Sequence, residues 1–259
     1  MKSKRLIVVS LDALSSIDFD MFSKLPNFKK FIRHAACCRQ VRSVYPSLTY
    51  PAHTSIVTGR TPAHHGIVNN ILLQPERSSP DWYWQRNYIR GTTLYDEVLK
   101  QGKHVAALLW PVTAKSEITW NLPEIFANRR WTNQILTSAA NGTVGYQLML
   151  NHRFGRLRDG IRQPALDNFV HASLKYTLKT YRPDLTLVHF TDLDTQRHHY
   201  GVHSEEAAAA IKRHDERIGE LMHLLHQNRM SVKRDTTVII LGDHSQLDVR
   251  NVILINKLL

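Results

Sequence analysis

The chain has 259 residues, 34 Lys+Arg against 22 Asp+Glu, a net charge of +12 at pH 7 and a mean hydropathy of −0.32. With 42% apolar and 22% charged residues it is neither a disordered tail nor a collagen-like repeat nor a membrane-spanning chain. It fits one domain with a large buried core, and its only cysteines, the adjacent Cys37 and Cys38, cannot build a disulfide framework, so a reducing, cytoplasmic setting is expected.

The opening MKSKRLIVVS is basic and then apolar, but Asp12 interrupts the run too early for a secretory signal. Residues 5–11 therefore read as a first strand. Residues 45–70 follow (YPSLTYPAHTSIVTGRTPAHHGIVNN), in which Pro51 near a first turn and Gly59 after a last one frame a helix around residues 52–57. Thr49 then stands at or just before that helix N-terminus, where free N–H groups and the dipole favour an anion. Residues 74–90, rich in aromatics and arginine, read as a loop or cap on the substrate side. Helical patterns cover residues 94–101, 167–180 and 205–229, the last opened by the capping signature of Ser204 with Glu205 and Glu206. Residues 105–110 (VAALLW), 185–191 (LTLVHFT) and 236–241 (TTVIIL) complete a set of four continuously apolar strands, the pattern of strands buried on both faces. Strands alternating with helices predict an α/β fold with a mainly parallel sheet flanked by helices on both faces. The apolar residues 251–259 end without a cap, so the fold is expected to continue beyond this sequence.

Three of the strands run into acidic residues: Asp12, then Asp192 and Asp194, then Asp243 with His244. Ligands of open α/β sheets bind at the carboxyl ends of the strands, so these groups should meet at one edge. Carboxylates gathered there repel one another, and a cation relieves the repulsion. Asp194 and His198 are four apart, on one face of a helix, and a mixed Asp/His set suits zinc, with manganese or iron as alternatives. His199 and His203 read as structural. Beside such an ion a hydroxyl can ionise and attack phosphorus, and both Thr49 and Ser47 qualify by chemistry. The basic residues 152–162 (HRFGRLRDGIR) suggest at most weak, salt-sensitive, sequence-independent nucleic-acid binding.

The run PSLTYPAHTSIVTGRTPAHHGIVNN resembles the nucleophile segment of the nucleotide pyrophosphatase/phosphodiesterase branch of the alkaline-phosphatase superfamily. Asp12, Trp110-Pro111, Asp194-x-x-x-His198 with Gly201, and Asp243-His244 match in order, over nearly the whole chain. The resemblance implies an alkaline-phosphatase-like core and a metal-dependent phosphohydrolase, most simply a phosphodiesterase or nucleotide pyrophosphatase. A phosphomonoesterase, a phosphonate hydrolase or an inactive fragment are the alternatives. It singles out Thr49 over Ser47 as nucleophile and implies Asp12, Thr49, Asp243 and His244 as ligands of one zinc. Asp194 and His198 become two ligands of a second zinc, and Asn70 a donor to a phosphate oxygen. The resemblance implies a small, nucleotide-like phosphorylated substrate and gives no reason to expect a specific nucleic acid or a membrane span. The family's third ligand for the second ion is a downstream His, and no His follows His244. The single domain, residues 1–259, is therefore expected to be incomplete at its C-terminus. Ser245 stands where Gly is frequent.

Overall fold

The computed structural model describes residues 4–228, 230 and 235–253. Five strands form one parallel sheet: β1 (Arg5–Leu11), β2 (Val105–Leu108), β3 (Trp120–Leu122), β4 (Leu185–Phe190) and β5 (Thr236–Leu241). Their spatial order is β3-β2-β4-β1-β5, so β1 lies between β4 and β5. The register places Val9 of β1 beside Val188 of β4 and Ile240 of β5. Side chains alternate across a strand, and the two faces of β1 show it. Ile7, Val9 and Leu11 enter one core, while Val8 enters the other.

The principal helices are α1 (Pro26–Ile32), α2 (Thr49–Thr58), α3 (Leu94–Lys100), α4 (Gln134–Ala139), α5 (Val144–Phe154), α6 (Ala165–Thr180), α7 (Asp192–Tyr200) and α8 (Glu205–Gln227). The larger core joins one face of the sheet to α5, α6 and α8 through Leu150, Leu174, Leu178, Ile218 and Leu221. The second core packs Val57 of α2, Tyr95 of α3 and Trp110 on the opposite face. Helices thus cover both faces, as the strand pattern requires.

Four strands and the long helices fall where their apolar patterns place them, within a residue or two. Arg229, the expected end of the last helix, lies outside the described residues, as do residues 254–259; residues 251–253 carry no regular structure. Two expectations need correction. β3 has only three residues, Trp120–Leu122, too few to show a pattern of their own. β5 is not buried on both faces: Val238 and Ile240 pack on the larger core, but Ile239 is exposed, because among the described residues β5 pairs only with β1.

At the upper end of the sheet the chain is tightly threaded. Ala13 adopts a left-handed φ of 62°, its N–H donating to Asp243 Oδ1 at 3.1 Å and its carbonyl accepting from the buried Arg197. Arg197 is in turn paired with Asp18. A Cβ on Gly242 would lie 1.7 Å from the carbonyl oxygen of Leu14, so only glycine lets β5 pass this loop. Gly242→Ala is therefore expected to lower stability by about 1–3 kcal/mol in chemical denaturation, as overpacking against backbone does. An unchanged midpoint would show that the loop yields freely.

Candidate active site

Because β4, β1 and β5 are neighbours, the residues that follow them meet at one edge. Adjacent strands lie roughly 4.8 Å apart, within reach of short acidic side chains. Donor atoms of Asp12, Asp194 and His244 all lie within 4.8 Å of one another. His244 Nε2 is 3.2 Å from Asp12 Oδ1 and 3.5 Å from Asp243 Oδ2. Asp12 Oδ1 and Asp243 Oδ2 are buried without a hydrogen-bond partner, although Asp243 Oδ1 is occupied by the Ala13 N–H. Buried orphan carboxylate oxygens directed at an imidazole are what a divalent cation would satisfy, so the residues fit a metal.

Titration reflects the same crowding. Burial, and then the charge of Asp12, push the Asp194 carboxyl up to about 8 and that of Asp243 up to about 7. Asp12 moves the other way: burial opposes its charge, but the hydrogen bond from His189 and the nearby imidazole of His244 hold it well below the usual carboxylate range. His244 is lifted to about 9, since its pairing with Asp12 and the charge of Asp243 outweigh burial. Three acids around one imidazole cannot all ionise cheaply.

Thr49 is the first residue of α2, and its hydroxyl does not cap the helix. Oγ1 faces the cluster instead, 3.1 Å from His244 Nε2. Ser47 is exposed on the approach to the helix. The N-terminal turn offers fewer free donors than its position suggests. The Tyr50 N–H donates to Asn70 Oδ1 at 2.9 Å, Pro51 has none and Ala52 donates to Leu48. That leaves the Thr49 N–H, while the bond from Tyr50 directs the amide nitrogen of Asn70 away from the helix.

Asp194 and His198 do share a face of α7, with His198 Nε2 3.4 Å from Asp194 Oδ1 and the imidazole largely exposed. His199 is bound locally to the Thr195 carbonyl and His203 is exposed. Asp192, on the same strand end, is excluded from the site. Arg213 holds it through Nε at 2.7 Å and Arg217 through Nη1 at 3.2 Å, so it anchors α7 to α8.

Two functional neighbours escaped the sequence reading. His189 lies inside β4, where it reads as one polar residue in an apolar run. Its Nε2 meets Asp12 Oδ2 at 3.1 Å and its Nδ1 faces Glu124 at 3.4 Å. Both contacts keep it protonated against the opposing effect of burial. His53, one turn into α2, is buried and kept neutral by burial and by the charge of His189. Its Nδ1 donates to the Thr49 carbonyl at 2.8 Å. Period-2 and i, i+4 patterns do not distinguish such histidines from core residues.

Beside Asn70 the segment at 74–90 closes over α2. Ile71 pairs with Trp82 across an isolated bridge, and Trp82 lies 5.3 Å edge-on from Tyr50 and from Phe126. Asp81 clasps the segment to Arg77 and Arg129, which fixes an aromatic wall next to α2.

The family model described as type I phosphodiesterase / nucleotide pyrophosphatase matches residues 6–259. Ectonucleotide pyrophosphatase/phosphodiesterase family member 1 of Homo sapiens is 26% identical over 248 residues, 91% of this chain and 23% of the relative. A venom phosphodiesterase of Macrovipera lebetinus is 25% identical over 251 residues, 92% of this chain and 25% of the relative. The chain thus spans about a quarter of the length of these curated relatives. Among solved structures, an inactive murine ectonucleotide pyrophosphatase/phosphodiesterase 5 in complex with AMP aligns with a TM-score of 0.64 at 19% identity, covering 94% of this chain and 57% of that one. The human protein 5 aligns at 0.62 and 21% identity, covering 93% and 57%. The fold is shared: an α/β, alkaline-phosphatase-like core.

Two measurements test the site. His189→Asn is expected to weaken zinc binding by about 10–100-fold in titration calorimetry, the usual effect of losing a group that orients a ligand; unchanged affinity would remove His189 from the site. The second concerns pH. Asp194 and Asp243 bind protons in the folded chain that the unfolded chain, with carboxyls near 3.8, has already released. His244 likewise keeps its proton up to about 9 against 6.5 unfolded. All three contributions to stability are lost as pH rises, the carboxyls' between about pH 4 and 8 and that of His244 between about 6.5 and 9, so the melting temperature in chelator should fall progressively from about pH 4 to 9, and saturating zinc should flatten that slope.

Proposed function

This chain belongs to the type I phosphodiesterase / nucleotide pyrophosphatase family, and on that premise we propose that it hydrolyses a phosphodiester or phosphoanhydride bond of a small, nucleotide-like substrate in two steps through Thr49. The observation that carries this reading is the Thr49 hydroxyl, at the start of α2 and 3.1 Å from His244, beside three converging carboxylates. Thr49 Oγ1 attacks phosphorus in line: the P–Oγ1 bond forms, the bond to the leaving oxygen breaks, the hydroxyl proton passes to solvent and the leaving group takes a proton from solvent. Water then attacks the phosphothreonine, the P–Oγ1 bond breaks and Thr49 regains its proton. The amide nitrogen of Asn70 and the Thr49 N–H donate to the non-bridging oxygens, where charge accumulates. His53 fixes the first turn of the helix, and so the direction of Oγ1, through the Thr49 carbonyl.

Asp12, Thr49, Asp243 and His244 would hold one zinc ion, and Asp194 with His198 a second, manganese being the alternative metal. Such ions supply Lewis-acid charge for ionising the hydroxyl and neutralising phosphate oxygens. Two protein ligands are one short of the usual three at a catalytic zinc, so the second ion should bind weakly to this chain. AMP in the murine neighbour supports a nucleotide-like substrate, and the half-buried Trp82, backed by the buried Tyr50, offers an aromatic surface for a base. The free thiols of Cys37 and Cys38 support a reducing compartment, here the cytoplasm; among the described residues no helix is long and apolar enough to cross a membrane.

With zinc supplied, Thr49→Ala is expected to reduce turnover of a bis-aryl phosphate to background, and Asn70→Ala to lower kcat about 10²-fold. Activity retained in the alanine variant at Thr49 overturns the covalent route. A substrate panel separates the diesterase from its rivals: faster turnover of a monoester or a phosphonate would reassign the reaction with the same residues in place.

A further inference from the structure

From Arg130 onward, the segment that leads from β3 to α6 lies outside the site described above, and its surface is unusual. Residues 125–165 contain six arginines, no lysine and a single acidic residue, Asp159. The same segment leaves large apolar side chains in water. Trp131 is 82% exposed and Ile161 75%, and Ile135, Leu136, Leu148 and Leu157 are exposed as well. Most of these positions are not accidents of a loose loop. α5 buries Tyr146, Gln147 and Leu150 and turns Val144 and Leu148 outward, so the first two turns of its outer face are apolar before the exposed Asn151 and His152 follow. α4 packs along α5, and the turn Gly155–Leu157 follows α5 directly, which places these side chains on consecutive elements.

The arginines divide by partner. Arg153 and Arg158 lie over the rings of Tyr176 and Phe169, and Arg129 is paired with Asp81. Arg130, Arg156 and Arg162 are exposed, with only Asp159 opposing Arg162, at 3.0 Å. An apolar patch rimmed by one sign of charge marks an interaction surface. A nucleic acid would use the arginines and leave the aliphatic side chains idle. A bilayer surface uses both: guanidinium groups meet lipid phosphates, and Leu, Ile and Trp enter the boundary between headgroups and acyl chains.

We propose that this face, formed by α4, α5 and residues 155–162, docks the protein on an anionic phospholipid surface. The proposal is independent of the phosphohydrolase reading, because none of its residues belongs to the site. Each exposed arginine near such a surface should tighten partitioning by about fivefold.

The test is co-sedimentation of the whole chain with vesicles of phosphatidylcholine alone or mixed with phosphatidylglycerol. Binding to the mixed vesicles and little to the neutral ones is expected. Trp131 supplies a direct readout, since brominated acyl chains should quench it only if it enters the bilayer; Trp131→Phe identifies that share of the signal. Leu157→Asp with Ile161→Asp should abolish pelleting, and Arg156→Ala with Arg162→Ala should weaken it by roughly 25-fold. All four substitutions are on exposed side chains, and an unchanged circular dichroism melt confirms that the fold survives. No binding to either vesicle overturns the proposal. So does binding that ignores the aspartate pair, which would be plain electrostatic adsorption, and so does salt-resistant capture of RNA or DNA with vesicles left unbound.

Discussion

Mutual repulsion of Asp12, Asp194 and Asp243 is the constraint around which this molecule is built. Three carboxylates at the ends of three adjacent strands lose hydration as they gather, and the fold must hold them there against that cost. His244 sits among them, and His189 braces Asp12 from behind through a contact that ends on Glu124. The backbone serves the same end. Ala13 accepts a left-handed conformation because Asp243 and Arg197 fix its N–H and carbonyl, and Gly242 lets the two chain segments cross. Strain of this kind persists where the surroundings over-determine it, and here it stands one residue from the proposed metal ligands.

The helix that presents Thr49 is placed by different forces. α2 is held to the site by Asn70 at the N–H of its second residue, Tyr50, and by His53 at its first carbonyl, and to the aromatic wall by the edge-on contact of Tyr50 with Trp82. Tyr50 also reaches Glu124, at 3.2 Å, so the wall and the buttress behind Asp12 share one carboxylate. A change at Glu124 would thus be felt on both sides of the site.

Positive charge is distributed by role. Arg197, Arg213 and Arg217 are spent internally on Asp18 and Asp192, tying α7 to its neighbours. The exposed arginines of residues 125–165 share their segment with exposed apolar side chains, a pairing that suits an interface better than simple solvation. The net +12 therefore says little until each cation is assigned a partner.

Much of this was legible in the sequence. Continuously apolar runs announce strands buried on both faces, and acidic residues after three of them announce a shared edge, because parallel strands deliver their ends to the same side. The i, i+4 spacing of Asp194 and His198 and the Pro and Gly framing α2 are local signals that local structure obeys. What periodicity cannot carry is depth and partner. It grouped Asp192 with the site, although α8 captures that side chain with two arginines; it passed over His189 and His53, which look like core residues until their neighbours are known; and it could not see that Ile239 of β5 is exposed. Order along the chain determines which elements form and which ends they share, since those depend on a few neighbouring residues. Only the packed sheet decides which charged groups face one another, since the residues that meet at Asp12 come from segments more than a hundred positions apart.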